Sequence, residues 1–241
     1  MMDGAGKSDP GVWDGSVRHF SPSSYTAALL RVVELATIRR SFRRAIEIGV
    51  GSGVVSSVIA ESGVERIWAT DIEPDALRAA ETLFDRLGLS SHLTLTHSDI
   101  WDTVNDTGFD LVIANLPHYP LELPPEPARL RTWSGGGRRL IDRFLHGLPG
   151  RLSGDGRVYM THLDLIGLEQ TFDIIRSLGL EAHSAFVWTV CDTNDRIEAI
   201  LGDRQQTNLC STLRRYGDYW FVDARILEVR WGGKSPLVRN D

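Results

Sequence analysis

Seven consecutive residues, Glu47-Ile48-Gly49-Val50-Gly51-Ser52-Gly53, constrain this chain more than any other stretch. A short apolar run over 45–48 enters them, and a helical pattern over 53–61 leaves them. A strand that runs into alternating glycines and out into a helix lets the backbone turn sharply and lets a ligand approach it closely. The helix N-terminus adds free N–H groups. A second predicted strand over 66–70 ends at Asp71, and 71 minus 51 places that carboxylate 20 residues beyond the middle glycine. An acid there can accept both hydroxyls of a ribose.

Two nucleotide readings follow. A dinucleotide fingerprint is Gly-x-Gly-x-x-Gly, but its third glycine position is Val54 here, which speaks against a dinucleotide oxidoreductase. The pattern is instead Gly-x-Gly-x-Gly with Glu47 two residues ahead of the first glycine. A pyrophosphate gains nothing from that carboxylate, whereas a ligand carrying an ammonium group gains a counter-charge. The Gly4-Ala5-Gly6-Lys7-Ser8 cluster lacks the earlier glycine and the preceding strand of a phosphate-binding loop and reads as tail.

The rest of the chain repeats the strand and helix alternation. The periodicity predicts helices over 25–38, 73–87, 140–152 and 165–178, and strands over 93–96, 109–114, 156–161, 183–190 and 219–229. The 109–114 run is apolar along most of its length, as expected of a parallel strand buried on both faces. This order predicts an α/β fold with a doubly wound, seven-stranded, mostly parallel sheet. The last strand is expected to be antiparallel, because no regular crossover helix precedes it. Residues 19–231 are expected to form a single domain, flanked by a flexible N-terminal tail over 1–18 and a C-terminal tail over 232–241. Ligands in such sheets bind beyond the carboxyl ends of the strands.

Composition excludes several classes. The chain of 241 residues has 26 Lys and Arg against 32 Asp and Glu, a net charge of −6, which argues against a general nucleic-acid binder. Cys191 and Cys210 do not make a disulfide framework, and the seven His lack metal-ligand spacing, so no metal is expected. Neither a signal peptide nor an apolar run of membrane-spanning length is present, which makes the cytoplasm the expected location. The pairs Arg138-Arg139 and Arg214-Arg215 read as solvated surface, and Arg39-Arg40 with Arg43-Arg44 as a solvated helix end.

Together these residues resemble the class I S-adenosylmethionine-dependent methyltransferases, with their Rossmann-like fold, over about residues 19–190. Glu47 to Gly53 looks like their first motif, which holds the methionine end of the cofactor and implies binding roles for Glu47, Gly49, Val50, Gly51 and Gly53. Asp71 looks like the ribose acid, with Ile72 beside the adenine, and Ser98-Asp99-Ile100 like the third motif, where the acid meets the adenine amino group. Phe20-Ser21-Pro22-Ser23-Ser24-Tyr25-Thr26 is similar to the opening segment of the HemK-like glutamine N-methyltransferases, in the branch without an N-terminal helical domain. There it closes over the cofactor, which implies roles for Phe20 and Thr26. Asn115-Leu116-Pro117-His118 resembles the Asn-Pro-Pro-Tyr motif of amino-methyltransferases, with Leu116 in place of the first proline and His118 in place of the aromatic residue.

Methyl transfer from a sulfonium is an in-line displacement, so the protein mainly has to hold the acceptor lone pair on the S–CH₃ axis. An NH₂ group has two hydrogens to hold. The Asn115 side-chain oxygen, itself also a cofactor contact, is expected to accept one, and the Leu116 carbonyl the other, aimed by the fixed φ of Pro117. His118 or Tyr119 is expected to stack on a flat acceptor, and His118 reads as wall or loop residue before base. The sequence thus predicts an N-methyltransferase, with a small-molecule amine or amide favoured as acceptor. A protein glutamine or lysine is the alternative, as is a protein that binds S-adenosylmethionine without turnover. Two segments, 119–139 and 192–218, are expected to be loops facing the acceptor.

Overall fold

The computed structural model describes residues 22–118, 120, 137–193, 197 and 211–233. Five α-helices and eight strands occur among them. In chain order they are α1 (Ser24–Arg39), β1 (Arg44–Ile48), α2 (Val54–Glu61), β2 (Arg66–Asp71), α3 (Pro74–Leu87), β3 (Leu93–His97), β4 (Phe109–Ala114), α4 (Arg139–Gly147), β5 (Leu152–Leu163), α5 (Leu168–Ser177), β6 (Leu180–Thr193), β7 (Arg214–Tyr216) and β8 (Tyr219–Trp231). Local chemistry sets several boundaries. Ser23 precedes α1 and its backbone N–H donates to Thr26 Oγ1 at 3.1 Å. Pro74 opens α3, and Gly88 closes it in the left-handed conformation.

The sheet runs β3-β2-β1-β4-β5-β8-β6. Pairing is parallel from β3 through β5. β8 is antiparallel to both β5 and β6, as the missing crossover helix implied. The expected seven strands are joined by a short eighth, β7, which pairs with the start of β8 on the side that β5 occupies farther along.

Both faces of the central strands are covered, and alternation sorts their side chains between two cores. Ala45, Leu111 and Ile113 join Leu29, Val33, Ile59 and Phe84 of α1, α2 and α3 on one face. Ile46, Ile48, Val112 and Ala114 meet Ile141, Phe144, Leu145 and Ile175 of α4 and α5 on the other. Burial on both faces is why β4 reads as an almost unbroken apolar run. The predicted acceptor loop over 192–218 is corrected in part: Asp192 and Thr193 continue β6, and 214–216 form β7, because a long β6–β8 ladder from Leu180↔Trp231 to Thr193↔Tyr219 satisfies their backbone groups. Among the described residues no helix is long and apolar enough to cross a membrane, and no group of three His, Cys, Asp or Glu side chains can hold a metal ion.

Candidate active site

Parallel strands β1 to β5 end along one edge, and most of the described residues singled out by sequence lie along it. The glycine loop leaves β1 with Gly49, Gly51 and Gly53 all at positive φ. The backbone N–H groups of Gly49 and Val50 both donate to Thr70 O, which folds the loop onto the end of β2. Asp71 takes the Gly51 N–H at 3.0 Å on one carboxylate oxygen and the Glu73 N–H at 2.9 Å on the other. The acid therefore ties loop and helix α3 together while each oxygen keeps a lone pair. Burial raises its pKa, and those two hydrogen bonds oppose the rise.

Glu47 is 2% exposed and faces α2, where the Ser56 N–H and hydroxyl both donate to Oε2. Burial pushes its pKa up to about 8. A neutral buried carboxyl behind a glycine loop is suited to a ligand ammonium, which would restore its charged form. Gly53 has a different duty from ligand approach. A Cβ there would lie 2.8 Å from the Ala80 backbone, so the glycine lets α2 start against α3. Val50 is buried with Ala69 and Ala80, so its side chain is core and only its backbone belongs to the loop.

At the end of β3 the third motif is a strained turn. Ile100 has φ 57°, a conformation costly for a β-branched residue. Buried Ser98 is committed to that turn, since its hydroxyl donates to Ile100 O and accepts from Thr103 N. Asp99 Oδ2 is held by Arg143 Nη1 at 2.8 Å. Ile72, at the β2 end, stays 45% exposed, an apolar face open to a flat ring.

The β4 turn holds the residues expected from sequence to face the acceptor. Asn115 Nδ2 donates to Thr26 Oγ1 at 3.2 Å, and Asn115 Oδ1 accepts from Thr161 Oγ1 at 2.9 Å. Leu116 is 4% exposed and packs over Gly49, where an added Cβ would lie 3.1 Å from its Cδ2. The residue that replaces proline is thus a core plug. The Leu116 carbonyl accepts from His118 Nδ1, which makes His118 an Nδ1–H tautomer.

His118 is only 7% exposed, so the expected stacking surface is corrected. Its ring lies between Tyr25, edge-on at 5.8 Å, and His162 at 6.4 Å. Burial lowers its pKa to about 4, which leaves it neutral and a poor base at neutral pH. The solvated reading of Arg138 is also corrected. Arg138 is buried; its Nη1 donates to Ile166 O, Gly167 O and Thr171 Oγ1, and its Nη2 to Asp142. Arg44 opens β1 and packs over the Trp68 ring at 4.5 Å rather than capping a solvated helix. Phe20 and Tyr119 lie outside the described residues.

Sequence reasoning missed Thr161, Tyr25, Trp188 and His162. Trp188 packs edge-on to Tyr25 at 5.3 Å. Thr161 had one available signal, since it closes the predicted fifth strand and so belongs to the ligand edge.

Comparison with known proteins agrees with this geometry. The family model for the methyltransferase small domain matches residues 17–122. A protein of Methanocaldococcus jannaschii described as a candidate protein N5-glutamine methyltransferase is 29% identical over 146 residues, covering 57% of this chain and 71% of its own length. The release factor glutamine methyltransferase of Moorella thermoacetica is 33% identical over 43% of this chain and 39% of its own length. The chain therefore spans well under half of that second relative. Among solved structures, the E. cuniculi Mtq2–Trm112 complex matches at TM-score 0.59 with 17% identity, covering 90% of this chain and 100% of its own, which bears on the fold alone. In the matched domain, in these relatives and in its fold, the chain is similar to the class I S-adenosylmethionine-dependent methyltransferases. The cofactor of this methyltransferase is accordingly S-adenosylmethionine. The residues present fit it: a buried carboxyl suited to an ammonium, a carboxylate beside a positive-φ loop suited to ribose hydroxyls, and exposed Ile72 suited to a purine.

Proposed function

We propose that this methyltransferase acts on the carboxamide nitrogen of a glutamine side chain in a protein. In this reading Glu47, Gly49 and Gly51 hold the methionine end of the cofactor, with the backbone of Val50, and Gly53 sets the start of α2 behind them. Asp71 holds the ribose, and Ile72, Asp99 and Ile100 surround the adenine, with Ser98 shaping their turn. Thr26 supports the site from α1. Bound S-adenosylmethionine supplies an electrophilic methyl group.

The observation that carries the reading is the pairing of a restrained Asn115 with an unreactive His118. Asn115 Oδ1 keeps one lone pair after accepting from Thr161. The Leu116 carbonyl likewise keeps one after accepting from His118. Acceptors on these two consecutive residues would take the two hydrogens of an NH₂ group and draw electron density onto nitrogen. Transfer would form the N–C bond as the S–C bond breaks, with its electron pair left on sulfur and one N–H proton passing to water. An alkylamine arrives protonated and needs a base near neutrality. His118, neutral with a pKa of about 4, does not supply one, and Glu47 is bound to Ser56 behind the glycine loop. A carboxamide arrives neutral. The relatives' names point the same way and do not support the small-molecule acceptor favoured by sequence.

The test is methyl transfer to glutamine-containing peptides from ribosomal proteins and release factors, with tandem mass spectrometry locating the methyl. A single methyl on the glutamine side chain, absent when glutamine is replaced by glutamate, is the expected result. Methylation of a metabolite amine with every glutamine peptide untouched would refute the reading.

A further inference from the structure

Asn115 can hold an acceptor only if its amide presents oxygen rather than nitrogen. The two ends of an amide have nearly the same shape, so packing does not distinguish them. Hydrogen bonding can, and in the arrangement found here one buried hydroxyl donates to the oxygen while another accepts from the nitrogen. Thr161, 0% exposed and two residues before the end of β5 at Leu163, donates to Oδ1 at 2.9 Å. Thr26, 7% exposed, accepts from Nδ2 at 3.2 Å. The Thr26 oxygen also accepts the Ser23 N–H, so the cap of α1 keeps it in place.

We infer that Thr161 is a positioning residue for methyl transfer: its hydroxyl fixes the Asn115 amide in the one orientation that leaves an oxygen lone pair for the acceptor NH₂. The inference rests on the glutamine reading above for its kinetic arm only. The orientation itself is a property of the protein and does not depend on the acceptor. With Thr161 in place, Asn115 has one lone pair and one N–H left over. A carboxamide, which both donates and accepts at the same end, is complementary to that remainder. Without the hydroxyl, Oδ1 loses its only described donor, and the amide rotates between two orientations, one of which turns N–H groups toward the acceptor.

Thr161→Val replaces the hydroxyl by a methyl of nearly equal volume, and Thr161→Ser keeps the donor. On a glutamine peptide, Thr161→Val should lower kcat about 10- to 100-fold, the range expected for misorientation at a reacting group. Its cofactor Kd should stay within about twofold of wild type, and Thr161→Ser should recover most of kcat. A lost kcat that Thr161→Ser fails to recover, or a Thr161→Val enzyme with wild-type kcat, would overturn the proposal.

The acceptor-independent arm is NMR of the Asn115 side-chain NH₂ in protein bound to S-adenosylhomocysteine. Wild type and Thr161→Ser should show one slowly exchanging proton pair, and Thr161→Val should shift or broaden it. Unchanged Asn115 signals in Thr161→Val would overturn the positioning role whichever acceptor is used. Changed signals with no glutamine peptide methylated would sink the glutamine reading and leave the positioning role standing. If Thr161→Val does not fold, Thr161→Cys, a weak donor of similar size, carries the same expectations.

Discussion

At the scale of single residues, the site works by restraint. Asn115 neither ionises nor turns freely, and its partners come from α1 and β5 rather than from its own loop. Asn115→Ala should therefore cut kcat about 100-fold while changing cofactor Kd by less than about threefold, which steady-state kinetics and calorimetry would check. Buried histidines give a second expectation. His118 is held neutral down to a pKa of about 4, and burial also lowers His162 well below its ordinary value. The unfolded chain protonates its histidines near pH 6.5, so between about 6.5 and 4 it binds protons that the folded state does not. Stability due to these groups is present above pH 6.5 and is lost as pH falls through that window. For His118 alone the loss approaches about 3 kcal/mol at pH 4. Urea unfolding at pH 7 and pH 4.5 should show a drop that is smaller in His118→Gln. An equal drop in both proteins would remove His118 as its source.

At the scale of elements, close approaches decide where side chains are forbidden. Gly53, at φ 80°, starts α2 against the Ala80 backbone of α3. Gly63 has a similar φ of 91° but open space around it. Gly53→Ala should cost about 2 kcal/mol or more, combining backbone strain and overpacking, while Gly63→Ala should cost about 1 kcal/mol from strain alone. Chemical denaturation of both variants separates the two terms. Arg138 sets a second junction, since one buried guanidinium holds the turn before α5, a hydroxyl within α5 and an acid of α4. Gly137 beside it packs on the His118 carbonyl, where a Cβ would come within 2.5 Å. Arg138→Met should destabilise by about 2–4 kcal/mol, because several buried acceptors lose their donor at once. A loss below about 0.5 kcal/mol, the range of ordinary surface substitutions, would return Arg138 to the surface role its sequence suggests.

At the scale of the molecule, two helical layers bury a sheet whose parallel half ends in one binding edge. A ligand that binds only the folded form should stabilise the whole of it. S-Adenosylhomocysteine at 100 times its Kd should raise the unfolding free energy by about 2.7 kcal/mol, and NAD should not. Asp71→Asn should weaken that stabilisation, because its amide keeps an acceptor for only one of the Gly51 and Glu73 N–H groups and offers an NH₂ in place of the second carboxylate oxygen. Equal stabilisation by NAD would overturn the cofactor assignment.

The chain's periodicity determined the alternation of strands and helices, because double-sided burial writes itself into apolar runs such as 109–114. Its spacing determined the ligand edge, because glycines at a strand end and an acid 20 residues on are local facts of the backbone. Only the tertiary structure decided what lies across the sheet. Thr161 is 46 residues from Asn115, and Thr26 is 89, so no local pattern marks either as a partner. Arg138 and His118 carry the residue types of a solvated loop, yet long-range packing buries both. The β6–β8 ladder extends beyond its apolar pattern for a related reason, since its outer residues are held by backbone hydrogen bonds to a distant strand and not by side-chain burial.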